Sequence, residues 1–227
     1  MTEHQPQNWL CEPSLKDRIA ANLASFSSRK SPVDDAHHAA VAITVTDVGF
    51  GADLPGLPEH SQWQADAALL LTRRAATLRK HAGQWAFPGG RLDPGETPVE
   101  TALREMHEEV SLSLDAGSVL GFLDDFVTRS GFVMTPVVVW AGAGASTEPN
   151  PDEVASVHRI PLTEFLRSDA PMLESAASSE HPVLRMPVGD DHIAAPTAAL
   201  IYQFREVCLL GRHTRVAHFE QPEFAWR

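Results

Sequence analysis

Apolar residues change their spacing along the chain, and the changes mark out elements. Leu15, Ile19, Ala20, Leu23 and Phe26 recur every three to four positions, which predicts an amphipathic helix from Pro13 to Phe26. A polar, Pro-containing connection follows to Asp35. Ala39–Val45 and Ala67–Thr72 are unbroken runs of small, branched and aliphatic residues, the pattern of strands buried on both faces. Between them, Asp47–Gln64 mixes Gly, Pro and polar residues and reads as a surface loop. Trp85–Phe87 is a short strand before Pro88-Gly89-Gly90. Val119–Val127 and Phe132–Trp140 flank Thr128-Arg129-Ser130-Gly131, a hairpin signal. Gly142–Pro151 is a loop, and Glu153–Ile160 is a further strand leading into a short helix from Pro161 to Leu166. Ser168–Glu180 carries little order signal. Val183–Val188 reads as a strand, and Thr197–Leu210 as a terminal helix. The tail from His213 is unassigned. Strands and helices alternating in both orders predict an α/β fold with a mixed sheet covered on both faces.

The most informative helix opens at Thr97. Thr97 suits an N-cap, Pro98 the first helical position, and Glu100 the reciprocal carboxylate of a capping box. Val99, Ala102, Leu103, Met106 and Val110 make its apolar face. At about 100° per residue, Glu105, Glu108 and Glu109 share an arc of roughly 100° on another face. Three carboxylates so placed repel one another unless a cation sits among them. Oxygen ligands favour a hard divalent ion, Mg²⁺ or Mn²⁺. Without further context such a face is simply solvated.

Charge adds a second signal. The 227 residues carry a formal net charge of -12, which argues against a general nucleic-acid or anionic-membrane binder. Yet Arg73, Arg74, Arg79, Lys80 and Arg91 lie between Thr72 and Arg91 with no Asp or Glu among them. Guanidinium forks suit phosphate oxygens. Apolar content of 43% is ordinary for a globular chain. Cys11 and Cys208 lack metal-ligand spacing and are expected to be reduced. No apolar run approaches the ~18 residues of a membrane span, and the polar N-terminus has no signal-peptide core. A cytoplasmic location is therefore expected. No His pair has HxxxH or HExxH spacing, so none is assigned to a metal.

Gly90, five residues, Glu96, seven residues, then Arg104-Glu105-Met106-His107-Glu108-Glu109 resembles the Nudix box of nucleoside-diphosphate-linked-moiety hydrolases. The usual Gly after that run is Ser111 here, which predicts a slightly altered helix exit. Upstream, Leu70, Leu71, Thr72, Arg74, Ala75, Arg79, Gly83 and Phe87-Pro88-Gly89-Gly90 resemble the motif of coenzyme A pyrophosphatases. Ile193–Ala198 departs from the segment usual in that subfamily before its last helix.

The resemblance implies a Nudix-type α/β/α sandwich: residues 36–227 as one hydrolase domain, preceded by a helix and connection over 1–35. It implies metal-dependent hydrolysis of the pyrophosphate of CoA or acyl-CoA to 3′,5′-ADP and a phosphopantetheine product. Glu105 and Arg104 would be catalytic. Gly89, through its carbonyl, with Glu105, Glu108 and Glu109 would hold the metal, and Arg74 and Arg79 would bind substrate. Glu153 is a further candidate base or ligand. Glu96 would brace the loop through Arg104 or backbone. The alternatives are a Nudix pyrophosphatase acting on ADP-ribose, a dinucleotide or a nucleoside triphosphate, and a non-catalytic nucleotide- or CoA-binding module.

Overall fold

Period-two alternation in the two central strands sorts their side chains between two cores. In β1 (His37–Gly51), Val41, Ile43 and Val45 enter the larger core, while Ala40 and Ala42 enter the smaller one. In β2 (Glu59–Arg74), Leu69 and Leu71 go one way and Leu70 the other. A strand buried on both faces has no polar alternation to show, which is why its sequence is a continuous apolar run. The computed structural model describes residues 9–32, 37–78, 81–175 and 181–221.

Around this pair stand β3 (Trp85–Ala86), β4 (Gly89–Arg91), β5 (Val119–Phe122), β6 (Phe126–Val127), β7 (Phe132–Gly142) and β8 (Val154–Pro161). They form one eight-stranded sheet with the order β3-β2-β1-β7-β5; β4 adds to β1, β6 to β7, and β8 to β2. β1 and β7 are parallel, with Ile43 opposite Val138, and the other pairings are antiparallel. Helix α1 (Pro13–Ser25) and helix α3 (Thr197–Phe204), which runs on as a π-helical turn over Arg205–Leu209, cover the larger core. Helix α2 (Pro98–Val110) covers the smaller core through Ala102, Met106 and Val110. The expected α/β sandwich with a mixed sheet is the observed fold. A second sheet of β9 (Met172–Glu174), β10 (Val183–Val188) and β11 (Asp191–Ala194) packs Leu184, Met186, Val188 and Ile193 into the larger core.

Several expectations need correction. The region expected as a loop from Asp47 to Gln64 is mostly hairpin, because β1 runs on to Gly51 and β2 starts at Glu59. Asp47 looks like a strand terminator but is fully buried. It accepts from Arg159 (2.6 Å), the Trp63 indole (2.5 Å) and the Gly144 amide (2.8 Å). A bulge between Asp47 and Gly49 shifts the register, and Gly49 supplies the φ of +63° beneath the Trp63 ring. The expected strand 119–127 is broken at 123–125. There Asp124 and Asp125 turn inward to hold the Arg29 and Ser31 amides. Residues 191–194 and 172–174 form strands that no apolar pattern announces, and Pro161 ends β8 rather than opening a helix. Cys11 and Cys208 are free and buried, and burial pushes Cys11 up to about 12. Among the described residues no helix is long and apolar enough to cross a membrane.

Candidate active site

Helix α2 starts where its sequence says it should. The Thr97 hydroxyl accepts from the Glu100 amide, and the Glu100 carboxylate accepts from the Thr97 amide at 2.8 Å. Its exit is not altered as expected. Ser111 takes the left-handed conformation (φ 57°, ψ 22°) that the usual Gly would adopt, and its amide donates to the His107 carbonyl at 2.9 Å.

Arg104 organises the acidic face. Its Nε and Nη2 reach Glu96 at 2.8 and 3.0 Å, and Nη1 reaches Glu105 at 2.9 Å and Glu108 at 3.0 Å. Nη2 also donates to the Arg91 carbonyl at 3.2 Å. All five N–H donors of the guanidinium are thereby occupied. Arg104 in this arrangement holds carboxylates rather than presenting a free fork to a phosphate. Glu96 lies between Arg104, the Asp93 amide and the Thr101 hydroxyl, and these bonds, Arg104's first, hold it down to about 2.

Glu105, Glu109 and Glu153 come together, with one oxygen of each within 4.8 Å of the others. Glu153 is far away in sequence, and the loop before β8 delivers it. The Glu148 and Asn150 amides donate to the Val110 and Glu109 carbonyls at the free end of α2, each at 2.9 Å. The Glu153 carbonyl accepts from the Ala75 amide at 2.8 Å. Helix-end carbonyls that would otherwise lack partners thus anchor the loop. Glu109 is buried, and burial followed by repulsion from Glu105 pushes it up to about 8; Arg74 and the Gly89 amide oppose that rise. Burial also raises Glu105, against Arg104. Three crowded carboxylates, one of them buried, are a donor set short of positive charge, and their oxygens fit a hard divalent cation. Glu108 is not drawn into this group; it is half exposed on Arg104. Gly90 lies against the cluster, since a Cβ there would fall on the Glu105 carboxylate. A Cβ on Gly89 would meet the Ala40 carbonyl.

A cavity of about 530 Å³ opens beside Gly89 and Gly90. Arg74 lines it, with a buried Nε that has no partner among the described residues. Arg79 and Lys80 lie outside the described residues. Three wall residues are not singled out by the sequence: Arg73, Asp191 and Gln221. Arg73 is visible there only as one charge of the basic island. Asp191 and Gln221 carry no motif, because tertiary folding alone brings β11 and the C-terminal segment here.

Residues 61–181, just over half of the chain, match the family model described as NUDIX domain. The chain belongs to the Nudix family. Three relatives bear the name "Uncharacterized Nudix hydrolase NudL". That of Yersinia enterocolitica is 42% identical over 134 residues, covering 59% of this chain and 60% of the relative. That of Pectobacterium atrosepticum is 40% identical over 159 residues, 64% of this chain and 83% of its own. That of Photorhabdus laumondii is 48% identical over 99 residues, 43% and 53% of the two chains. The matched segments thus span from about half to four-fifths of these relatives. Among solved structures, a MutT/nudix family protein from Enterococcus faecalis shares the fold, with TM-score 0.51, 14% identity, and 78% and 64% of the two chains covered.

Proposed function

We propose that this Nudix hydrolase cleaves the pyrophosphate bond of coenzyme A or acyl-CoA, giving 3′,5′-ADP and the (acyl)phosphopantetheine. The observation that carries the reading is the continuity of two motifs in space. The basic segment resembling that of CoA pyrophosphatases lines the cavity through Arg73, Arg74 and Gly83, and the same cavity ends at Gly89–Gly90 beside the carboxylates. A substrate with a pyrophosphate and a separate 3′-phosphate needs carboxylates for its metal and guanidinium groups for its phosphates; Arg74 lines this cavity, and the carboxylates lie beside its Gly90 end.

Glu105, Glu109 and Glu153 would hold Mg²⁺ or Mn²⁺, with Glu108 at the exposed margin and the Gly89 carbonyl as a further candidate ligand. A bound ion of this kind neutralises phosphate oxygens and makes a nearby water more acidic. The chain's own residues do the rest. Arg104 fixes the carboxylates at set angles. Arg74, which lines the cavity and acts on Glu109 through its charge, would meet a phosphate oxygen with its guanidinium. Glu105 or Glu153 takes the proton of the attacking water. Part of this proposal is one hydrolase domain over 36–227, with the N-terminal helix an addition seated on its core.

The test is product analysis by mass after incubation with Mg²⁺ or Mn²⁺ and CoA, acetyl-CoA, dephospho-CoA, ADP-ribose and NADH. Preferred cleavage of CoA over dephospho-CoA, to 3′,5′-ADP, is expected. Preferred cleavage of ADP-ribose or NADH would overturn the CoA assignment and leave the Nudix activity standing. Tight CoA binding without hydrolysis of any of these would make the chain a binding module.

A further inference from the structure

A guanidinium can recognise a ligand by its edge, through donors, or by its face, through stacking. In Arg73 two of the five N–H donors on the edge are taken, one of them by a carboxylate. Nη1 donates to the Gly83 carbonyl at 3.0 Å and Nη2 to Asp191 Oδ2 at 2.5 Å. Asp191 also matches its charge, so Arg73 is a poor trap for a phosphate. One face is taken as well, because the guanidinium carbon lies 3.9 Å from the centroid of the Trp85 ring. Trp85 is itself fixed from behind. It is 7% exposed, and His158 meets it edge to face, with centroids 5.0 Å apart. Arg73 nonetheless lines the cavity, and its side chain is 29% exposed. With Trp85 on one face, the opposite face is the flat surface that remains for a ligand.

Phe132, the other six-membered aromatic ring on the wall, already carries side chains of its own. Phe132 has Arg91 over it at 4.8 Å and His37 beside it at 5.5 Å. A planar ligand group entering this cavity therefore finds a rigid flat surface at Arg73, backed by indole and pinned at its rim.

We propose that Arg73, layered on Trp85 and held edgewise by Gly83 and Asp191, is the platform on which the nucleobase of the substrate stacks. This rests on the reading of the cavity as a site for a nucleoside diphosphate derivative. The basic segment then has two roles, with Arg74 meeting phosphate and its neighbour Arg73 meeting the base. Stacking on a guanidinium plane is sequence-tolerant and costs little preorganisation when the plane is already fixed.

The experiment is equilibrium titration, with Mg²⁺ present, of ADP and of inorganic pyrophosphate against the full chain and two variants. Arg73→Lys keeps the charge and removes the plane; Arg73→Gln removes the charge and keeps a smaller plane. Thermal melts confirm that each folds. The expected result is about a tenfold loss of ADP affinity in Arg73→Lys, with pyrophosphate affinity changed by less than about twofold. Arg73→Gln is expected to retain more ADP affinity than Arg73→Lys. Equal loss of both ligands, or better binding by Arg73→Lys than by Arg73→Gln, would make Arg73 a charge contact and overturn the platform. ADP binding that neither variant changes would also overturn it while leaving the cavity reading intact. Failure of the unaltered protein to bind ADP or pyrophosphate would remove the cavity reading itself.

Discussion

The two ends of the cavity are built differently. The acidic end is almost local: Gly90, Glu96, Arg104, Glu105 and Glu109 fall within one turn and one helix, and only Glu153 comes from afar. The opposite wall is assembled from Arg73 on β2, Trp85 on β3, Asp191 on β11 and Gln221 beyond the last helix. A helix, once packed, fixes the relative angles of its own carboxylates. A wall of four distant segments is as rigid as the packing and hydrogen bonds between them. The difference predicts that chemistry resides at the first end and binding at the second.

Substitution at the acidic end should have the largest effect. Glu105→Gln and Glu109→Gln are each expected to lower turnover by at least ~10²-fold with little change in melting temperature, since each removes a carboxylate ligand from the cluster and keeps its volume. Glu108→Gln, held by Arg104 outside the group, is expected to cost less. Steady-state kinetics with CoA would check all three. A Glu108→Gln loss as deep as that of Glu109→Gln would mean that Glu108 swings inward when the metal arrives.

The distant wall should respond in KM. Gln221 is 8% exposed; its amide donates to the Val127 carbonyl at 3.2 Å, and its Oε1 accepts from the Arg129 amide at 3.2 Å. It thereby ties the turn before Phe132 to the C-terminal segment. Gln221→Ala removes both hydrogen bonds, each worth about 0.5–1.5 kcal/mol, and with them the tie between the two segments. The expected outcome is a KM raised several-fold with kcat within about twofold. A fall in kcat at unchanged KM would end the division of labour between the two ends.

How legible each end is in the sequence follows from the same difference. The capping box at Thr97, the apolar stripe of α2 and the carboxylate arc are readable because helical spacing turns sequence into angle. Asp47 shows the opposite case. Its sequence context suggests the end of a strand, and the charge that offsets its burial comes from Arg159, 112 residues away. Asp191 has a partner 118 residues away in Arg73, and no pattern within β11 reveals it. Ion pairs between strands distant in sequence leave no local trace, so hairpin extension and far wall are hidden for one physical reason.

A smaller effect should appear in the pH dependence of stability. His158 backs Trp85; its Nδ1 faces the Ala52 carbonyl at 2.7 Å and its Nε2 the Ser156 hydroxyl at 2.6 Å. Burial holds its pKa below the ordinary histidine value. The unfolded chain therefore takes up this proton first as pH falls. The contribution to stability is complete above about pH 6.5 and declines below it, toward the depressed folded value. Urea midpoints from about pH 7.5 to about pH 5.5, a window that brackets the unfolded histidine, should decline more steeply in the unaltered protein than in His158→Gln. Parallel declines would mean that other groups carry the dependence.

Ser111 offers the smallest and cleanest test, at the junction between α2 and the loop that leaves it. Its φ of 57° is one that a side chain resists, and it is exposed and accepts this conformation so that its amide can close the helix. The left-handed region costs a residue with a Cβ roughly 1–2 kcal/mol. Glycine removes that cost but loses about 0.4–1 kcal/mol through the greater freedom of the unfolded chain. Ser111→Gly is therefore expected to stabilise by about 0.5–1 kcal/mol, a rise of roughly 1–4 °C in melting temperature for a chain of this size. Turnover should stay unchanged, because Glu105 lies a turn before the exit and the Glu109 carbonyl is also held by the Asn150 amide. A melting temperature that stays the same or falls would mean that the serine side chain itself stabilises the exit, and a change in turnover would mean that the helix exit reaches the carboxylates after all.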